Sequence, residues 1–202
     1  MPIEIERKYL VCSDAWRSAA TRHEPLRQGY LSKRPEGSVR VRLGPCHATL
    51  TVKSRRDGCV RHEFEYPIPL AHAEDMLRLL CGARVIEKVR HQVPFGGMLW
   101  EVDEYGGAAA GLVMAEIELK APDQPFVLPD WVGREVTHNK RYRNDAIARA
   151  AARAVGGAAQ RKGKSGGALP ESAAGGDGAL TLKCLGRGGG AWTPFQAVRR
   201  GA

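Results

Sequence analysis

Residues 2–11, Pro-Ile-Glu-Ile-Glu-Arg-Lys-Tyr-Leu-Val, open with a strict alternation of apolar and charged side chains. Side chains two positions apart on a β-strand lie on the same face of that strand. Glu4, Glu6 and Lys8 therefore share one face, and Ile3 and Ile5 lie on the other. The segment predicts a strand with one charged face and one apolar face.

The same two-residue spacing of charges recurs along the first 121 residues, and each segment carries charges of mainly one sign. The further charged positions are Arg40 and Arg42, Lys53 after Thr49 and Thr51, Glu63 and Glu65, Lys88 and Arg90, Glu101 and Asp103, and Glu116 and Glu118. For any single strand, a solvated outer face is the simpler interpretation. Solvated surfaces usually intersperse the two signs, so strands sorted by sign favour a common charged site.

The segments between these charges predict a mainly β chain of the α+β class. Strands are predicted over 2–11, 26–33, 38–44, 48–54, 60–68, 83–94, 98–105 and 112–121, a helical turn within 13–21, and helices over 70–80 and 144–155. Because no helix of ordinary length separates successive strands, pairing is expected to be antiparallel. Eight antiparallel strands, with a few peripheral helices, are enough to close a barrel.

The net charge of +9 over 202 residues is unevenly distributed along the chain. Residues 156–202 contain seven Lys or Arg and two Asp or Glu, together with 13 of the 24 glycines. We therefore predict a folded domain over 1–155 and a glycine-rich, disordered tail over 156–202. The mild excess over 1–155 disfavours nucleic acid as the main partner.

Composition also excludes several other classes of protein. No apolar run reaches the roughly 20 residues of a membrane span, and the N-terminus lacks the pattern of a secretory signal. The five cysteines are odd in number and form no C-x-x-C pair, which argues against a disulfide framework and against a thiolate zinc site. These features predict a cytoplasmic protein without a membrane partner.

If the charged face lies inside a closed sheet, the sheet encloses a polar tunnel. Clustered carboxylates suit Mg²⁺ or Mn²⁺, which prefer oxygen ligands. Clustered Arg and Lys suit phosphoryl oxygens. The two sets together indicate a metal–polyphosphate ligand, and the chemistry that such a site permits is phosphoryl transfer.

The segment Glu4-Ile5-Glu6-Arg7-Lys8 resembles the E-x-E-x-K signature of the CYTH superfamily, the triphosphate tunnel metalloenzymes. The resemblance continues in order through the charged segments above, and through residues 135–137, 141–142 and 144. It covers about residues 1–152. It implies an eight-stranded antiparallel tunnel barrel that binds a triphosphate together with a divalent metal, and it is compatible with a homodimer.

Carried over position by position, the resemblance assigns roles to the charged residues. Candidate metal ligands are Glu4, Glu6, Glu63, Glu65, Asp103, Glu116 and Glu118, with Glu4, Glu6, Glu116 and Glu118 as the expected core. Candidate substrate contacts are Lys8, Arg40, Arg42, Lys53, Lys88 and Arg90. Some of these carboxylates are expected to orient the basic residues instead of touching the metal.

The predicted reaction is in-line attack of water on a terminal phosphorus, with Lys88, Glu4 and Glu6 as the candidate catalytic residues. Lys88 has two interpretations: a base whose pKa is lowered by its cationic neighbours, or a plain phosphate contact. Tyr30 either faces the tunnel mouth or is an ordinary strand aromatic. Arg141 and Tyr142 either close over the substrate or dock the C-terminal segment on the barrel.

Hydrolysis of inorganic triphosphate or a short polyphosphate is the favoured function, and three alternatives remain. A class IV adenylyl cyclase would also have to bind adenine. A thiamine triphosphatase would need an aromatic shelf, for which Trp16, Trp100 and Trp131 are candidates. A non-enzymatic protein would only bind polyphosphate, or nucleic acid through the tail.

Overall fold

The computed structural model describes residues 2–162, which form nine β-strands and two α-helices joined by short connections. A 3₁₀ helix at Ala15–Ala19 confirms the predicted helical turn. The strands are β1 (Ile3–Val11), β2 (Arg22–Lys33), β3 (Gly37–Leu43), β4 (Ala48–Ser54), β5 (Val60–Pro67), β6 (Val85–Phe95), β7 (Met98–Tyr105), β8 (Val113–Glu118) and β9 (Val132–Glu135); the helices are α1 (Leu70–Leu79) and α2 (Asn144–Lys162).

Eight of the strands close into an antiparallel ring, which confirms the predicted fold class. The hydrogen-bonded order is β5-β4-β3-β2-β6-β7-β8-β1, and β5 pairs with β1 to complete the circle. The closing register places Ile3 opposite His62 and Glu4 opposite Arg61. Since residues opposite each other in an antiparallel pair share a face, this register continues the charged face of β1 onto β5.

The ninth strand was not predicted from the sequence. β9 pairs with the C-terminal part of β1, with Tyr9 opposite Glu135, whereas β5 pairs with the N-terminal part. Between the two, the backbone N–H of Lys8 donates to the Thr137 hydroxyl at 3.0 Å. The four residues Val-Gly-Arg-Glu are too short, and too poor in apolar side chains, to show an alternating pattern.

Most element boundaries lie within three residues of the predicted ones, and two differ by more. β2 begins at Arg22 instead of residue 26, because its first residues are polar and include Pro25, which weakens a strand pattern. α2 runs from Asn144 to Lys162, past the predicted end at residue 155. The remainder of the predicted tail lies outside the described residues. None of the described helices is long and apolar enough to cross a membrane.

Most of the apolar core lies outside the ring, between the strands and the segments that cover them. One cluster gathers Tyr9, Trp16, Trp100 and Trp131, with the ring centroids of Trp100 and Trp131 5.7 Å apart. A second cluster lies under α1, where Ala73 and Leu77 share one face of the helix. A third cluster lies on the inner face, where Ile86, Tyr105 and Met114 pack under α2. The rest of the inner face is mainly polar.

Gly29 shows how closely α1 approaches the barrel. A Cβ atom built on Gly29 would lie 2.5 Å from Sγ of Cys81 and 3.1 Å from a methyl group of Leu77. Any larger residue here would push the helix away from β2. The close approach also fixes the outer face of β2, so that Gln28 and Tyr30 must point into the ring.

Candidate active site

The inner face of the ring carries all of the candidate metal ligands and substrate contacts identified from the sequence. The register opposes unlike charges at several positions: Lys8 faces Glu116, Arg90 faces Asp103 and Lys53 faces Glu63. Most of these side chains line the tunnel cavity directly. Lys88 and Asp103 lie on the same face but are fully buried in the wall.

The tunnel holds two adjoining cavities, here called its lobes. One, here called the acidic lobe, has a volume of about 420 Å³, and the other, here called the basic lobe, about 490 Å³. The lobes meet at residues that line both of them: Glu6, Lys8, Arg40, Lys53, Arg61 and Asn144. The acidic lobe continues to Glu4, Arg42, Glu63, Glu65, Arg90, Glu101, Glu116 and Glu118. The basic lobe continues to Tyr30, Lys33, Arg34, Arg55, Arg56, Lys140, Arg143 and Asp145.

A buried ion-pair network crosses the centre of the tunnel. The Lys8 ammonium donates to Glu6 at 3.2 Å and to Glu116, and Arg90 donates to Glu116 at 2.9 Å. Burial alone would raise the pKa of Glu116, but Lys8 and Arg90 outweigh it and hold that pKa well below its usual range. Burial alone would lower the pKa of Lys8, but Glu116 and Glu6 outweigh it and raise that pKa. The network is therefore fully ionised at neutral pH.

Lys88 differs from the other buried cations. Its side chain is inaccessible to solvent and donates to Asp103, but Asp103 also accepts two bonds from Arg90, at 2.8 and 2.7 Å. Burial and the neighbouring Arg90 charge together lower the pKa of Lys88 to about 7, more than Asp103 raises it. At neutral pH a substantial share of the Lys88 amine is thus neutral and able to accept a proton.

The acidic lobe carries more negative charge than its cations neutralise. Burial, together with repulsion from Glu4 and Glu101, raises the pKa of Glu118. Burial also raises the pKa of Glu63, helped by Glu4, even though Lys53 lies 2.8 Å from both carboxylates. Among the described residues, Glu118 forms no ion pair. A bound cation would relieve this excess of negative charge.

The donor set of the acidic lobe fits a hard divalent cation. It consists of carboxylate oxygens, the ligand type that Mg²⁺ and Mn²⁺ prefer. Within residues 2–162, no three acidic, histidine or cysteine side chains are already gathered as metal ligands, because most of these carboxylates bond to Arg or Lys. Binding a metal would therefore require Glu4 and Glu6 to exchange some of their guanidinium partners for the ion.

Two arginines that bond Glu4 or Glu6 were missed by the sequence analysis, as were the arginines that line only the basic lobe. Arg61 donates to Glu4 and, at 2.9 Å, to Glu6. It lies two residues before Glu63, so the alternation on β5 extended by one step would have identified it. Arg56 also donates to Glu6, but it lies in the turn between β4 and β5, where no periodicity signals the direction of a side chain.

Polar residues without formal charge also face the tunnel. Thr51 accepts a hydrogen bond from Arg40 at 3.1 Å and donates one to Glu65 at 2.9 Å, so it links the two charges. Gln28 is opposite Arg42 in the register. Gln28 is buried, and its amide has no hydrogen-bond partner among the described side chains and backbone. Such a group offers unused donors to a bound ligand.

The structure resolves several alternatives that the sequence left open. Tyr30 lines the basic lobe, which corrects the simpler view of it as an ordinary strand aromatic. Tyr142 packs against the core and Arg141 is exposed, whereas the following residues, Arg143 and Asn144, line the cavity. The segment therefore docks on the barrel through Tyr142.

The tryptophans and the barrel histidines lie away from the tunnel. Trp16, Trp100 and Trp131 belong to the outer core, so they form no aromatic shelf in the tunnel. His91 packs against Trp16 and forms a 2.8 Å hydrogen bond with Glu104 on the outer side of the sheet. His62 is opposite Ile3, on the outer face of β5.

Known proteins are similar to this chain in both sequence and fold. Residues 2–151 match the CYTH domain. An inorganic triphosphatase of Acetivibrio thermocellus is 46% identical over 144 residues, which is 71% of this chain and 92% of that protein. An inorganic triphosphatase of Nitrosomonas europaea is 38% identical over 151 residues, 72% of this chain and 96% of that protein.

A solved structure agrees with these two sequence relatives. The crystal structure of an inorganic triphosphatase superposes with a TM-score of 0.55 at 34% identity, covering 73% of this chain and 95% of the other. The match to the CYTH domain spans every strand of the ring and the start of α2. The chain therefore belongs to the CYTH domain family.

Proposed function

We propose that the protein is a divalent-metal-dependent hydrolase that cleaves inorganic triphosphate to pyrophosphate and orthophosphate. The main support is the pair of adjoining cavities in the tunnel, in which carboxylates dominate one lobe and cations dominate the other. An anion of three linked phosphoryl groups with a bound metal ion matches that division of charge. Two relatives that align with about 70% of the chain are named inorganic triphosphatases.

The proposed metal ligands are the carboxylates of the acidic lobe, with Glu4, Glu6, Glu116 and Glu118 as the core and Glu63 beside them. When bound, Mg²⁺ or Mn²⁺ would neutralise charge on the phosphoryl oxygens and act as a Lewis acid. We assign the remaining two candidates a positioning role, because Asp103 already bonds Lys88 and Arg90, and Glu65 bonds Thr51.

The proposed substrate contacts are Lys8, Arg40, Arg42, Lys53 and Arg90. Among them, Arg42 forms no ion pair with any described residue. Burial and the charges of Arg40 and Arg90 lower the pKa of Arg42 to about 10, which still leaves it charged at neutral pH. An unpaired guanidinium on a tunnel wall can bind two phosphoryl oxygens at once. Substrate binding would place negative charge beside this guanidinium group.

We assign Lys88 as the group that accepts the proton of the attacking water. The water oxygen forms a bond to a terminal phosphorus while the bond to the pyrophosphate leaving group breaks, and one water proton passes to Nζ of Lys88. The neutral amine needed for this step is present because the pKa of Lys88 is lowered to about 7. Asp103 orients the amine, and the surrounding cations hold the triphosphate in line.

The rival functions have weaker support. A thiamine triphosphatase needs an aromatic surface, and the three tryptophans considered for that role lie in the outer core. An adenylyl cyclase needs a base pocket, and the cavity lining is mostly charged. Binding of polyphosphate without catalysis remains the alternative that an assay must separate.

The test is a hydrolysis assay with purified protein and inorganic triphosphate, with Mg²⁺ or Mn²⁺ and with an excess of chelator. We expect one orthophosphate and one pyrophosphate per triphosphate consumed, and loss of activity with the chelator. A Glu116→Gln variant is expected to be inactive with either metal. Full activity in the chelator would contradict the metal dependence, and no hydrolysis under any condition would contradict the assigned reaction.

A further inference from the structure

The two lobes of the tunnel have opposite charge where they do not overlap. Apart from the shared residues, the acidic lobe is lined by six carboxylates and two guanidinium groups. The basic lobe is lined by six cationic side chains and a single carboxylate, that of Asp145. The tunnel therefore has a strong electrostatic gradient along its length.

The cations of the basic lobe are largely unneutralised. Within the described part of the chain, Arg34, Arg55, Lys140 and Arg143 form no ion pair. Asp145 lies 3.8 Å from Lys33 but is also bonded to Arg149 at 2.8 Å. Arg56 is nearly buried and bonds Glu6, but its second terminal nitrogen, Nη1, has no partner among the described residues.

The basic lobe is also accessible from solvent. Arg34, Arg55 and Lys140 have exposed side chains, and they come from three separate segments: the β2–β3 turn, the β4–β5 turn and the connection before α2. Between them, Arg56 and Arg143 extend the positive wall inward to Lys8 and Arg40 at the junction of the lobes. A cationic surface thus leads without interruption from solvent to the proposed substrate contacts.

This arrangement determines how a free polyphosphate anion approaches. A concave wall of one sign concentrates its field and raises the local concentration of an oppositely charged ligand. The carboxylates at the other end, Glu63, Glu101 and Glu118 among them, would repel the same anion. The end of the tunnel at the basic lobe therefore attracts the anion, and the end at the acidic lobe repels it.

We propose that the basic lobe is the port through which inorganic triphosphate is attracted and enters the tunnel. The inference rests on the proposed function, because it names the route of the substrate to that same site. Arg34, Arg55 and Lys140 are the residues that carry it. They contribute through charge at the mouth and take no part in the bond-breaking step.

The test compares two triple variants that each remove three positive charges. The first is Arg34→Gln/Arg55→Gln/Lys140→Gln. The matched control is Arg27→Gln/Arg78→Gln/Arg84→Gln, whose side chains lie on the outer surface beside α1, away from both lobes. Thermal unfolding verifies that both variants fold, and kcat and KM for inorganic triphosphate are measured over a range of ionic strength.

For the first variant we expect kcat/KM at low ionic strength to fall by roughly tenfold or more, because steering by a charged cleft contributes about 10- to 1,000-fold. Its kcat should stay within about twofold of the wild type, since the mouth residues do not contact the reacting atoms. The dependence of kcat/KM on ionic strength should flatten, because salt screens the mouth charges in the wild type. The control triple should leave kcat/KM, kcat and the dependence on ionic strength close to those of the wild type.

Equal behaviour of the two triple variants would overturn the inference while leaving the proposed function intact. If the wild-type protein does not hydrolyse triphosphate, calorimetric titration of inorganic triphosphate with Mg²⁺ present separates the two claims. Salt-dependent binding that only the first variant weakens would support the port and reject the reaction. Absence of binding by the wild type would reject both.

Discussion

Replacement of the buried Lys88 by arginine tests the proposed proton acceptor. Lys88→Arg keeps a positive charge beside Asp103 but removes the amine that can be neutral near pH 7. With its pKa lowered to about 7, about half of the Lys88 side chains are neutral at that pH. An ordinary lysine, with a pKa near 10.4, would be neutral in only about one molecule in 2,500.

The structure therefore predicts both a pH profile and a loss of rate. Since the neutral amine accepts the proton, kcat/KM of the wild type should rise with pH and level off above an apparent pKa near 7. Lys88→Arg should lower kcat by about 10²- to 10⁴-fold, the usual contribution of general acid–base catalysis, and should abolish that rise. KM should change much less, because a positive charge is retained beside Asp103 and the residues that line the cavity are unchanged.

The assay is orthophosphate release from inorganic triphosphate at fixed free Mg²⁺, from about pH 5.5 to pH 9, with thermal unfolding as the check on folding. Two results together would refute the assignment: a Lys88→Arg variant that stays within about tenfold of the wild-type kcat, and a wild-type rate that is flat between pH 6 and pH 8. Lys88 would then be a phosphate contact, which an arginine can replace.

Two substitutions of carboxylates and one deletion test other parts of the structure. Glu118→Gln should lower kcat/KM by about 100-fold and weaken the stabilisation of the folded protein by Mg²⁺, because it removes a proposed ligand. Without metal, its melting temperature should be unchanged or higher, because Glu4 and Glu101 repel this carboxylate. A large loss of stability with normal activity would contradict the assignment. Hydrogen bonds from His91 and Arg17 lower the pKa of Glu104 to about 2, so Glu104 contributes stability above its unfolded pKa near 4.5 that is lost as the pH falls toward 2. In denaturant titrations the wild type should be more stable than Glu104→Gln by about 1–2 kcal/mol at pH 6, and this difference should shrink on acidification. A difference that does not change with pH would contradict the prediction. Deletion of residues 163–202 should leave kcat/KM for triphosphate unchanged, whereas a protein that acts mainly through its tail would lose its function.

The strands of the barrel could be predicted because the physical signal is local. A two-residue alternation places Glu4 and Glu6 on one face whatever the rest of the chain does. The same rule explains why the charged pairs on the other strands also face the tunnel. β9 could not be found in this way, because its pairing with β1 is long-range and its four residues carry no pattern.

The pairing of the charges depended on the closed structure. From the sequence, carboxylates and cations formed two sets, one mainly for metal and one for phosphate, and the carboxylates expected to orient basic residues could not be identified individually. In the structure they bond to each other, as Lys8 does with Glu116 and Arg61 with Glu4, because a buried charge without a partner is strongly unfavourable. Which groups have no ion-pair partner within residues 2–162, such as Glu118 and Arg42, follows only from the register and the turns.

The opposite charge of the two lobes could not be predicted from the sequence pattern either. Arg34, Arg55 and Lys140 are far apart in the chain and lie in turns or connections. Closure of the ring brings those segments to one end of the barrel. The net charge of the chain gave no hint of this, because the acidic and basic lobes largely cancel.

The most direct measurement of the central claim is a comparison of substrates with the full-length protein. Inorganic triphosphate, ATP and thiamine triphosphate are offered at equal concentration with Mg²⁺ and with Mn²⁺, and the products of each reaction are identified. The account predicts that orthophosphate is released chiefly from inorganic triphosphate, with little turnover of the two organic triphosphates. Formation of cyclic AMP from ATP, or a clear preference for thiamine triphosphate, would contradict it.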